Sequence, residues 1–70
     1  MRIETYLGTV TGWANSIAPE FESALPFKEF AKAHRTDPEL YREIYRLAEG
    51  KSLSISVYGG THVKTFVKKS

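Results

Sequence analysis

Seventy residues, 41% hydrophobic and 13% aromatic, make one domain (residues 1–70) with one modest core and no room for a second. With no cysteine, disulfides and thiolate zinc sites are excluded, and no apolar run is long enough to span a membrane. The net charge of +2 is uneven: residues 1–27 carry Arg2 against Glu4, Glu20 and Glu22, while residues 28–70 carry nine Lys or Arg against five acids. The N-terminus lacks the basic-then-apolar form of a signal peptide, so a cytoplasmic domain is expected.

Ile3, Leu7, Val10, Ala14 and Ile17 recur at i, i+4, i+7, i+11 and i+14, the spacing of an amphipathic helix. Gly8, Gly12 and three threonines argue for a strand instead. A strand, however, puts Gly8 and Val10 on the same face as Arg2 and Glu4. The periodicity favours a helix over residues 3–17, ended or bent by Pro19, with the strand reading left open.

The next stretch, LPFKEFAKAH, opens a helix at Pro26 and sets Phe27, Phe30, Ala31 and His34 on one stripe. TDPELYREIYRLAEGK is the clearest helix of the chain. Asp37 caps it, Pro38 takes the first position, Glu39 suits the positive end, and Gly50 terminates it. Leu40, Ile44 and Leu47 form its inner row, Tyr41, Tyr45 and Ala48 the adjacent one. Arg42, Glu43, Arg46 and Glu49 face outward.

SLSISVY and THVKTFVKK read as the two strands of a hairpin. A loop of Gly59 and Gly60 alone pairs Val57 with His62, Ile55 with Lys64 and Leu53 with Phe66, which mixes polar and apolar groups on one face. Adding Thr61 to the loop pairs Val57 with Val63, Ile55 with Thr65 and Leu53 with Val67, and the face becomes uniformly suited to a core. The pattern therefore predicts the three-residue loop. Ser54, Ser56, Tyr58, His62, Lys64, Phe66 and Lys68 then lie on the outer face.

Residues 27–46 resemble a helix-turn-helix. Phe30, Ala31, Tyr41 and Ile44 stand where such a unit holds its helices together, with Arg35 in place of the usual turn glycine and Thr36 in place of the apolar residue after it. With a helix before and a hairpin after, the order resembles the winged helix-turn-helix DNA-binding superfamily. The resemblance implies an α+β fold in which two or three helices pack on a C-terminal antiparallel β-hairpin. It also implies a regulatory, non-enzymatic protein that binds double-stranded DNA. Its implied contacts are Arg35, Thr36, Arg42 and Arg46 from the helical unit and Tyr58, His62, Lys64 and Lys68 from the wing.

Asp37, Glu39 and Glu43 set three acids on or beside the reading helix, where phosphates repel them. This moves weight to a second reading, a small protein-binding module (an inhibitor or adaptor). Its contacts are Tyr41, Tyr45, Tyr58 and Phe66, with strand addition at the hairpin edge. The last strand is the expected edge, guarded by Lys64, Lys68 and Lys69. A homodimer through the same surface fits either reading.

No catalytic residue, metal or cofactor is expected. His34 and His62 show no ligand spacing, and His34 is expected to pack on its helix. The hairpin serines have no base nearby in sequence, and YGGTH lacks the helix and Lys-Ser/Thr pair of a phosphate loop. Trp13 is expected in the core.

Overall fold

The structure, a computed structural model, describes the backbone of residues 1–11 and 14–70 and the side chains of residues 1–9 and 19–70. Its strands are β1 (Arg2–Thr11), β2 (Ala14–Pro26), β3 (Ser52–Val57) and β4 (His62–Lys69), with helices α1 (Phe27–Ala33) and α2 (Pro38–Arg46) between β2 and β3. The sheet is antiparallel throughout, in the order β2-β1-β4-β3. Both helices lie on one of its faces, around a core of Ile3, Phe30, Leu40, Ile44 and Phe66.

This corrects the expected architecture. The helices stand mid-chain between two hairpins, so the order of a winged helix is not met: its first helix is replaced by two strands. Of the stretch 3–17 expected as a helix, residues 3–11 belong to β1 and residues 14–17 to the start of β2. The reason is tertiary. β1 is an interior strand with a full partner on each side, β2 and β4, and the β-branched residues fit a pleated, half-buried surface. An isolated helix would have had to form over Gly8 against its propensity. Pro19 sits where Ala18 and Pro19 together oppose Gly8, a bulge on the edge strand β2 that tolerates a residue without an N–H. The expectation for Trp13 falls outside the described residues.

The helix signals acted largely as the pattern implies. Pro26 precedes α1, and Phe30 is buried on its inner face. Asp37 caps α2 by accepting from the Leu40 N–H, and Pro38 holds the first position. The helix nevertheless ends at Arg46 rather than at Gly50, because Leu47 turns extended towards β3. Gly50, at φ 83°, serves the entry to β3 instead. It donates to the Lys68 carbonyl, while the Lys68 N–H donates to the Lys51 carbonyl. That pattern is a bulge with glycine in the left-handed position.

The hairpin register is the second correction. Val57 pairs with His62, Ile55 with Lys64 and Leu53 with Phe66, the mixed pairing, not the uniform one. Tyr58, Gly59 and Gly60 turn consecutively through positive φ (52°, 66° and 90°) and form the tip with Thr61. Phe66 thereby points at the helices and is fully buried, where an outward position was expected. Its ring meets Phe30 edge-on at 5.4 Å and His34 at 5.9 Å. Burying one phenyl ring outweighs burying valines of the same strand, and lysines can keep their ammonium groups at the rim while their stems pack. β4 is also interior, between β1 and β3, so its lysines guard no edge.

Candidate functional site

The α2 surface beside the start of α1 gathers the most distinctive chemistry. Residues 41 and 45 are one turn apart, and α1 begins with Phe27 directly against them. The Phe27 ring lies 5.3 Å from that of Tyr45 and 6.4 Å from that of Tyr41. With Arg42 and Arg46 these three rings line a shallow, apolar-floored cleft of about 250 Å³. That volume suits one anchoring side chain rather than a whole small molecule, for which sites run to roughly 300–1,000 Å³.

Tyr45 is 59% exposed and yet held. Phe27 packs on it, and the Lys68 ammonium sits 5.4 Å from its ring centre, within cation–π range. The same ammonium donates to the Tyr45 and Leu47 carbonyls, 2.6 Å each. These are last-turn carbonyls that the helix cannot satisfy itself, and a cation there also meets the negative end of the helix dipole. Lys68 thus stops α2 and steadies the tyrosine above it.

Arg42 and Arg46 are exposed and form no ion pair with any described residue. Glu39 and Glu43 lie beside them on the outer side of α2 without closing within ion-pair distance. The guanidinium groups are therefore available at the cleft rim.

The other sequence-predicted residues are placed elsewhere. Arg35 and Thr36 are exposed in the turn between α1 and α2. Tyr58 is 62% exposed at the hairpin tip, where its ring meets that of His62 edge-on at 5.2 Å. The His62 Nδ1 lies 2.8 Å from the Thr61 hydroxyl, which also donates to the Tyr58 carbonyl. Lys64 faces Glu22 at 3.7 Å. Along β4 the tip is about 20 Å from Lys68, at roughly 3.3 Å per residue, so tip and cleft are separate surfaces. Phe66, buried in the core, offers nothing to a partner.

The structure thus joins Tyr41, Tyr45, Arg42, Arg46 and Lys68, which the two sequence readings had divided between them. It adds Phe27, which sequence reasoning placed on the inner stripe with Phe30. Phe27 does pack half-buried against the core, and its first-turn position also brings its ring onto the two tyrosines. Among the described residues no group of three His, Cys, Asp or Glu could hold a metal ion. Nor, among the described residues, is any helix long and apolar enough to cross a membrane. Set against protein-family models, curated proteins and solved structures, the chain matches none.

Proposed function

We propose that this chain is a small, non-enzymatic protein-binding module whose contact surface is the Phe27–Tyr41–Tyr45 cleft. Its partner is an acidic segment carrying one aromatic or aliphatic anchor. The observation that carries the reading is Tyr45, largely exposed yet fixed by Phe27 and Lys68. An exposed aromatic that needs no ordering on binding is the kind of residue that dominates interface energetics. The apolar floor would take the anchor and the two free guanidinium groups the acidic flanks. The cytoplasmic setting expected from composition belongs to the same proposal.

The DNA reading keeps Arg35, Thr36, Arg42 and Arg46 as exposed groups, but its wing lysines have other partners: Lys64 faces Glu22, and Lys68 holds the end of α2. Selection of displayed random peptides on the purified chain separates the two. Enrichment of acidic peptides with an aromatic or branched apolar residue is expected, with binding weakened about tenfold or more by Tyr45→Ala, or about 1.4 kcal/mol. Selected peptides that bind Tyr45→Ala as well as wild type would refute the cleft. Absence of any peptide, together with duplex binding that collapses between ~50 and ~200 mM salt, would replace the protein partner with DNA.

A further inference from the structure

The two edges of the sheet differ in kind. β2, at one end, carries Pro19, Pro26, Glu20 and Glu22, and its pairing with β1 is interrupted by three register shifts. Charges, prolines and bulges are the ordinary means by which an edge refuses a further strand. β3, at the other end, has none of them within Ser52–Val57; the Gly50 bulge and Lys51 lie just before it. Its sequence SLSISV is uncharged, proline-free and paired in unbroken register over all six residues.

Which of its backbone groups are free follows from the ladder. Lys68 donates to Lys51, so residues 51 and 68 form a hydrogen-bonded pair. In an antiparallel ladder such pairs alternate with non-bonded ones. Leu53, Ile55 and Val57 therefore turn their N–H and C=O groups to β4, and Ser52, Ser54 and Ser56 turn theirs outward. The short 2.9 Å approach of the Ser54 and Thr65 hydroxyls fits the closer, non-bonded pairing of those two residues. The three serines are exposed, and no described side chain or loop backbone bonds to their main chain.

We propose that the β3 edge pairs with β3 of a second copy of this chain, antiparallel about a two-fold axis through Ser54, joining two four-stranded sheets into one of eight. Only the register centred on Ser54 uses all three outward-facing residues of both copies within the strand. Ser54 then opposes Ser54 of the second copy, and Ser52 opposes Ser56, each pair exchanging both hydrogen bonds. Between them, in the closer non-bonded pairing, Leu53 meets Ile55 of the second copy twice, on the helix side of the sheet. Both side chains are half-buried at the margin of the core, and the pairing extends that core across the axis.

The occupant is a second copy rather than a foreign strand for two reasons. The edge is self-complementary in hydrogen bonding, size and charge, as an isologous interface must be. Its open-face row is three serines, which offer no pocket to select another sequence, whereas receptors for added strands gain specificity from pockets for alternate side chains.

The test is sedimentation of the full chain at rising concentration, with Ser54→Lys and Ser54→Glu variants alone and mixed. Wild type should move towards twice the monomer mass by about 1 mM, within the weak range of small interfaces. Each variant alone should stay monomeric, since it sets like charges directly opposite each other. Their equimolar mixture should recover the dimer, which also shows that both are folded. Monomeric wild type at that concentration would overturn the proposal. So would a Ser54→Lys variant that associates as wild type does, or a mixture that stays monomeric while wild type dimerises.

Discussion

The two faces of the sheet are built on opposite principles, and β4 shows it most plainly. On the helix-covered face β4 places His62, Lys64, Phe66 and Lys68; on the open face it places Val63, Thr65 and Val67. By alternation alone the valines belong inside. Inside instead are one buried phenylalanine and three polar side chains, each with its own partner. His62 meets Tyr58 and Thr61, Lys64 faces Glu22, and Lys68 holds the end of α2. A face that packs helices need not be uniformly apolar if one large residue fills its centre and long side chains reach its rim.

The strongest way to break this comparison is at its centre. Phe66→Ala leaves a cavity beneath Phe30 and His34 and should cost about 3–5 kcal/mol. For a domain of this size, with total stability of roughly 4–10 kcal/mol, much of the population would unfold. Val67→Ala, next in sequence but on the open face, should cost less than about 1.5 kcal/mol. Urea midpoints measure both. Equal losses would mean that the open face shares the core's burden and that the register reading is incomplete.

The same logic explains what could be read from the chain. α1 and α2 were legible because Pro26, Asp37 and Pro38 act locally and need no knowledge of the rest of the fold. The hairpin strands were legible for the same reason, through Gly59 and Gly60. The register was not, because it depends on what Phe66 meets across space. The β1–β2 hairpin was hidden by a coincidence of spacing: Ile3 and Leu7, four apart, share a face in a helix and also in a strand. The cleft was half legible. Tyr41 and Tyr45 stood out at once, but that Phe27 would pack on them and Lys68 beneath them depends on the sheet.

The two lysines on the covered face sharpen the comparison further. Lys68→Met keeps the apolar stem and removes the ammonium from two helix-end carbonyls, at an expected cost of about 1–2 kcal/mol. Lys64→Met removes only a partly exposed ion pair with Glu22 and should cost less than about 1 kcal/mol. The loss at Lys64 should shrink further in high salt, while that at Lys68 should largely persist. Comparable losses with the same salt dependence would deny Lys68 its role at the end of α2.

The smallest effect belongs to the open face and is confined to alkaline pH. There the Tyr6 hydroxyl donates to the Glu4 carboxylate at 2.9 Å. That hydrogen bond, with lesser help from burial and the carboxylate's charge, raises the phenol above the ordinary 10.0. Because the folded value lies above the unfolded one, the contribution is complete below the ordinary value and is lost as pH rises through the folded one. Urea midpoints of wild type and Tyr6→Phe should therefore differ at about pH 8, and the gap should close as the pH rises from there past the raised value of the folded phenol. A gap that stays constant across that range would show that the Glu4 bond does not couple to Tyr6 ionisation. The open face would then be held by its ladder alone.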